Sequence, residues 1–281
     1  MKSSLRQSIA QTLLIFISIF SSYVVFAHEK NSANATYLGN AGLLVEEEGT
    51  KLLFDPFFHK DFSIYQLVPK EIRQAIFQGT PPYNSINYLF ISHAHDDHFS
   101  ATDLLNYLKL HSQVQVIAPQ QAIDKLIALS EFSSDASTLL PRLHSVSLHY
   151  GDMAWSTIIN HTEISAVRIP HAGWPSRADV ENIVFRITLP SGATVMHMGD
   201  ADPDDDHYLP YKKYWHQQVT DTAFPPYWFF YSAEGRDILN EIINAKQHVG
   251  VHVPVEVPKR LIRSKQLFFS QPGQNIKIHQ H

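Results

Sequence analysis

The sequence predicts an α/β layered fold, an αββα sandwich in which two β-sheets pack face to face with helices outside. Apolar runs of strand length are followed by helix-period stretches in both halves of the chain, the pattern such layers produce. Each cluster of His and Asp that could do chemistry falls where an apolar run ends, and strand ends are where α/β architectures bind ligands. No repeat or low-complexity tract interrupts this order, so residues 28–281 read as one domain.

The elements follow in turn. Residues 28–35 form a short polar lead. Gly42-Leu43-Leu44-Val45 and Lys51-Leu52-Leu53-Phe54 read as strands joined by the turn Glu46-Glu47-Glu48-Gly49-Thr50, which delivers Asp55 to a strand end. Ile86-Asn87-Tyr88-Leu89-Phe90-Ile91-Ser92 reads as a buried strand. Ser100 and Asp103 have capping-box spacing and start a helix with Ala101, Leu104, Leu105 and Leu108 at helical period. Val114 to Ala118 is a strand, and Pro119 opens a helix carrying Ala122, Ile123, Leu126 and Ile127. Ser130 to Arg142 is polar and reads as a loop. Ile183, Phe185, Ile187 and Leu189 alternate with Val184, Arg186 and Thr188 before a Ser191-Gly192 turn, and the partner strand Ala193 to Met198 runs into Gly199-Asp200. Trp228, Phe229 and Phe230 read as a core strand, with Tyr227 and Trp228 as residues that could reach a pocket. Ile238, Leu239, Ile242 and Ile243 make the buried stripe of a late helix leading into a strand that ends at His252.

The densest chemistry lies in His93-Ala94-His95-Asp96-Asp97-His98, directly after the strand that ends at Ser92. Neutral imidazole and ionised carboxylate are ligands that Zn²⁺ and similar borderline metals prefer. On an extended or tightly turning segment His93 and His95 share a face, because side chains two apart point the same way. Asp97 and His98 lie on the following turn, free to serve a second metal. The bland alternative is a polar loop that happens to be rich in His.

H-x-H-x-D-H in this setting resembles the metallo-β-lactamase superfamily, and other parts of that family's pattern occur in order. Phe54-Asp55-Pro56 resembles the early Asp behind the metal loop. Ile169-Pro170-His171 resembles a third metal-binding His at a strand end, Met196-His197-Met198-Gly199-Asp200 the bridging Gly-Asp, and Val249-Gly250-Val251-His252-Val253-Pro254 the last His. The resemblance spans about residues 36 to 255 and looks closest to the lactonase and phosphodiesterase-like branch. That branch includes ascorbate-6-phosphate lactonase-like proteins and the N-acylphosphatidylethanolamine-hydrolysing phospholipase D.

The resemblance implies that His93, His95 and His171 hold one metal, that Asp97, His98 and His252 hold another, and that Asp200 bridges them. Two Zn²⁺ ions are the implied cofactors, with Mn or Fe as alternatives. A pair of metals about 3.5–4 Å apart can share a hydroxide whose pKa falls to about 7, a nucleophile for an ester, lactone, phosphoester or amide. Asp97, Asp200 and Asp55 are the candidate catalytic carboxylates: Asp97 as a proton carrier, Asp200 as the bridge, Asp55 as the group that orients a ligand His. Asp96 reads as solvated, and His197 as a buried, hydrogen-bonded His rather than a ligand. Asp202, Asp204, Asp205 and Asp206 read as a solvated loop without EF-hand spacing. His279 and His281 sit on a polar tail. Trp174, Arg177 and Tyr208 are the candidate substrate residues, Arg177 because a guanidinium can pair with a carboxylate or phosphate.

Lys2 and Arg6, the apolar stretch from Leu13 to Phe20, and Val25-Phe26-Ala27 read as a signal peptide cleaved after Ala27. The alternative is an uncleaved anchor. Either implies export, to the periplasm or outside the cell, with no stable membrane insertion once the segment is removed. With no Cys there is no lipidation site, no disulfide and no thiolate ligand, so any metal is held by N and O donors. Removing residues 1–27 takes Lys2 and Arg6 and no acids, leaving 20 basic against 27 acidic residues and a formal charge of −7. That argues against a nucleic-acid substrate, which needs a basic surface, and for a small molecule.

The expected function is therefore an exported dinuclear metal hydrolase. Its rivals are a mononuclear iron oxygenase of the same fold, a non-catalytic metal-binding module and a β-lactamase proper. The full second ligand set opposes the first rival, the open coordination position of a three-His set the second, and the missing Cys the third.

Overall fold

A computed structural model describes residues 33–281, so the segment read as a signal peptide and the first residues of the polar lead lie outside it. The chain builds β1 (Ala33–Gly39), β2 (Gly42–Glu47), β3 (Thr50–Phe54), β4 (Tyr88–Phe90), β5 (Gln115–Pro119) and β6 (Leu143–Val146) as one sheet. It continues through β7 (Trp155–Ile159), β8 (Thr162–Arg168), β9 (Ile183–Thr188), β10 (Thr194–His197), β11 (Thr220–Phe224), β12 (Ala245–Gly250) and β13 (Leu267–Phe268) as a second. Finally β14 (Asn275–Ile278) crosses back to pair antiparallel with β1. Among the described residues each sheet has seven strands, ordered β14-β1-β2-β3-β4-β5-β6 and β13-β12-β11-β10-β9-β8-β7.

Alternation along the strands sorts side chains into three apolar layers. Phe54, Phe90, Phe185, Val195 and Phe224 meet between the sheets. Leu53, Leu89 and Val116 face outward against Leu104, Leu108, Ile123 and Leu126 of α2 (Ala101–Leu110) and α3 (Gln120–Ile127), which follow the helix α1 (Lys70–Gln78). Val184, Met196 and Ala223 face outward from the other sheet against Trp215, Phe229 and Leu239. Strands buried on both faces read as continuous apolar runs, and helix, sheet, sheet and helix form the expected αββα sandwich.

The helix starts are chemical. Ser100 Oγ accepts from the Asp103 amide at 3.3 Å and caps α2, as the spacing implies, while Pro119 stands immediately before α3. Three expectations are corrected. The segment from Ser130 to Arg142 is a series of short helical turns rather than a loop, because Phe132 and Leu139 are drawn into the core beside α3. Trp228, Phe229 and Phe230 lie in a 3₁₀ turn (Tyr227–Tyr231) rather than a strand, since Pro225 and Pro226 end the β11 ladder and Pro226 accepts from the Phe229 amide. The late helix is α-helical over Ala233–Asp237 and widens to a π turn over Ile238–Ile242, with the Ile243 amide reaching the Ile238 carbonyl.

Candidate metal centre

The ends of β3, β4, β8, β10 and β12 converge on one rim and bring every implied ligand together. His93, His95 and His171 form one group of convergent donor atoms, and Asp97, His98, Asp200 and His252 a second, the atoms of each group lying within 4.8 Å of one another. Within the second group, His98 Nε2 is 3.1 Å from Asp200 Oδ1, and His252 Nε2 is 3.2 Å from Asp200 Oδ2 and 3.3 Å from Asp97 Oδ2. Asp200 also touches the first group, with Oδ2 3.4 Å from His171 Nε2. His93 Nε2 and His95 Nδ1 stand 3.1 Å apart. Ligand atoms about 2.0–2.1 Å from a tetrahedral ion are separated by about 3.4 Å, the spacing seen here.

Two further observations fit a cation. Asp200 Oδ1 and His252 Nε2 are buried and make no hydrogen bond, although N and O atoms crowd around both. Buried acceptors converging in this way carry a penalty that an ion removes. The protonation pattern is equally consistent. Burial, reinforced by the His98 charge, holds His93 well below the usual imidazole range, so the ring is neutral and one of its nitrogens keeps a free lone pair. For Asp200, burial opposes ionisation, but the His252 and His98 charges outweigh it and hold the carboxyl well below its ordinary range. His98 is buried, yet the Asp200 charge pulls its imidazole well above the usual value. A divalent cation would take the place of those protons.

The backbone aims these side chains. Asp55, at the end of β3 with φ +41°, accepts from Ser92 N at 2.8 Å and Ser92 Oγ at 2.6 Å, and its Oδ2 lies 2.9 Å from His98 Nδ1. Asp200 follows Gly199, whose φ is +55° and where a Cβ would meet Asn182 Oδ1 at 2.4 Å. His252 is itself left-handed at φ +61° and donates its amide to the Asn40 carbonyl at 2.8 Å. Residues held in that region cluster at functional sites, where the surroundings over-determine them.

Asn40 is a site residue that sequence reasoning missed. It sits in the two-residue turn between β1 and β2, is fully buried, and donates from Nδ2 to the Asp97 carbonyl at 2.9 Å and to Asp97 Oδ2 at 3.3 Å. Its only signal is an Asn in a tight turn, where left-handed backbone is tolerated. Tyr65 was missed too; its ring centroid stands 4.1 Å from that of His252, and Trp228 packs on the same imidazole at 5.3 Å.

Other expected residues sort clearly. His197 is buried, stacks on Phe54 and lies 2.8 Å from the Ala41 carbonyl through Nε2, outside both donor groups. Asp96 is exposed on the rim. Asp202 ties the His171 loop by accepting from the Gly173 and Trp174 amides, and Asp204 caps the turn that Asp205 and Asp206 begin. His281 joins Asp221 on the second sheet rather than hanging free. A cavity of about 640 Å³ opens over the donors and is lined by Arg177 but not by Trp174 or Tyr208. Trp174 instead packs on Tyr150 and His207, and Tyr208 is fully buried with its hydroxyl on the Asp202 carbonyl. Tyr208 is close to Asp200 in sequence, but the turn after β10 carries it into the outer core.

Comparison with known proteins bears on the fold and the family. Residues 34–213 match the β-lactamase superfamily domain. A UPF0173 metal-dependent hydrolase from Carboxydothermus hydrogenoformans is 39% identical over 67 residues, 24% of this chain and 24% of that protein. The aligned part is thus about a quarter of that relative's length. A structure from Veillonella parvula, described as a possible metal-dependent hydrolase, has a TM-score of 0.61 at 13% identity, covering 88% of this chain and 100% of that one. CmlA, a diiron β-hydroxylase from Streptomyces venezuelae, has a TM-score of 0.52 at 13% identity, covering 88% of this chain and 54% of that one. With the fold, the rim of His and Asp and the matched residues together, the chain belongs to the metallo-β-lactamase superfamily.

Proposed function

We propose that this protein is a metal-dependent hydrolase of small molecules that holds two divalent ions, zinc in the first instance. His93, His95 and His171 would hold one, Asp97, His98 and His252 the other, and Asp200 would serve both. The observation that carries this reading is the position of Asp200, whose two oxygens lie 3.1 Å from His98 Nε2 and 3.4 Å from His171 Nε2. When bound, such a pair lowers the pKa of water to about 7 and stabilises charge on a carbonyl or phosphoryl oxygen.

The chain's residues supply the rest. Asp55 fixes the proton of His98 on Nδ1, so that Nε2 presents its lone pair to the centre. Asn40 holds Asp97 in place from behind. Tyr65 and Trp228 pack against the His252 ring and fix its orientation. The cavity of about 640 Å³ suits a small ester, lactone, phosphoester or amide, and lactones and phosphodiesters are the first classes to screen.

Elemental analysis of protein never exposed to chelator tests this: about two zinc ions per chain is the expected result. One or two iron ions with oxygen-dependent turnover would replace hydrolysis by the oxygenase reading. We read residues 1–27 as a signal peptide and the mature protein as periplasmic or secreted. Mass spectrometry of the exported protein should give His28 as its first residue, and a retained Met1 would mean an anchor.

A further inference from the structure

We propose that Arg177 is the anion receptor of this cleft, and that the substrate carries a carboxylate or phosphate beside an apolar group that rests on Phe62 and Ile64. The proposal rests on the dinuclear reading above and names the substrate class for it.

Arg177 lines the cavity, and its Nη1 lies 3.5 Å from both ring nitrogens of His171. Among the described residues no carboxylate lies within ion-pair distance of it. The other cation on the lining, Lys125, donates to the Ala94 carbonyl at 2.6 Å, whereas Arg177 lies against a candidate ligand. A guanidinium beside a metal-ligand imidazole is repelled by the ion that imidazole holds, unless an anion lies between them. Its planar fork is the shape that grips a carboxylate or phosphate in two places. The charge of the cleft points the same way. Four acidic and two basic side chains line it, and two divalent ions more than reverse that difference, leaving surplus positive charge.

The apolar element is equally specific. Phe62 is 58% exposed and Ile64 49% exposed, and both line the same cavity. Phe62 and Ser63 are consecutive non-glycine residues at φ +48° and +57°. Asp61 holds that conformation: its side chain accepts from Ser63 N at 2.9 Å and its carbonyl from the Ile64 and Tyr65 amides at 2.8 Å. Ile64 is tied in turn by the Val255 amide at 2.8 Å. The loop therefore presents large apolar side chains to the cleft mouth in a fixed geometry, where burial against a ligand removes them from water.

The test is calorimetric titration of zinc-loaded protein with 4-phenylbutyrate, 3-phenylpropyl phosphate and the neutral 4-phenylbutyramide. At least one acid should bind about tenfold or more tighter than the amide. Arg177→Gln should remove that advantage, shift the amide less than about twofold and keep its zinc, while Phe62→Ser should weaken all three probes. Equal binding of acids and amide by wild type, or unchanged acid affinity in Arg177→Gln, would overturn the proposal. Loss of zinc from Arg177→Gln would also overturn it, since Arg177 would then be a support for His171. A chain that takes up no zinc and turns over no ester fails the hydrolase reading instead. The contrast between wild type and Arg177→Gln, titrated then on the protein as isolated, would still decide the receptor, because it reads binding rather than turnover.

Discussion

Asp55 Oδ2 lies 2.9 Å from His98 Nδ1, and both side chains are shut away from solvent. One belongs to the end of β3 and the other to the loop after β4, and the parallel pairing of those strands sets the distance. A buried carboxylate on one ring nitrogen leaves the other as a lone-pair donor of increased basicity.

Asp55→Asn keeps the volume and removes the charge. Zinc affinity, measured by competition with a chromogenic chelator, should fall about 10–100-fold. Unchanged affinity would show that the charge of Asp55 is not needed to hold His98 as a donor.

Asp200→Ala should lose both ions together, because one carboxylate lies against both donor groups. His197→Ala should keep its full metal content and lose stability instead, by about 2–4 kcal/mol for a buried ring stacked on Phe54. Elemental analysis and urea unfolding of the two variants separate these outcomes. Metal loss from His197→Ala would mean that the donor set has been misassigned.

Gly199→Ala leaves every donor in place but asks alanine to adopt φ +55° with its Cβ 2.4 Å from Asn182 Oδ1 and 2.7 Å from Ser92 Cβ. The expected cost is about 2–4 kcal/mol, with Asp200 displaced and metal content reduced. A fully loaded variant of wild-type stability would show that the turn yields freely.

Metal should stabilise the fold by simple linkage, since the donors come from both sheets and a preformed site is absent from the unfolded chain. Free zinc at about a hundred times its dissociation constant contributes about 2.7 kcal/mol. For a chain of this size that is a rise of about 5–10 °C in Tm, reversed by chelator in a scanning calorimeter. An identical Tm with and without zinc would remove the metal centre from the account.

The donors were legible because their chemistry is compressed: three His and two Asp in six residues at the end of an apolar run admit few other uses. His171, Asp200 and His252 were legible by position, each just after a run of strand length. Asn40 and Tyr65 were not, since an Asn in a turn and a Tyr in a loop are ordinary until the hairpin and the Pro254 bridge carry them to the rim. Tyr208 was misplaced for the opposite reason, as nearness in sequence to a candidate ligand says little once the chain turns away from the rim. The short helical turns between Ser130 and Arg142 were hidden by polar composition, because just two deeply buried side chains, Phe132 and Leu139, anchor that stretch from Ser130 to Leu139.

The return of β14 to β1 gives synthesis an order of events. When residues 33–146 have emerged, β1 still has an open flank, with amides and carbonyls that β14 and the Gly273-Gln274 turn before it cover in the finished sheet. That flank stays uncovered while the whole second sheet is made, and an uncovered edge invites pairing with another chain. The residues from Gly273 to Ile278 thus act as the clasp that ends this exposure, and a nascent chain stalled before them would be most prone to stick to its neighbours.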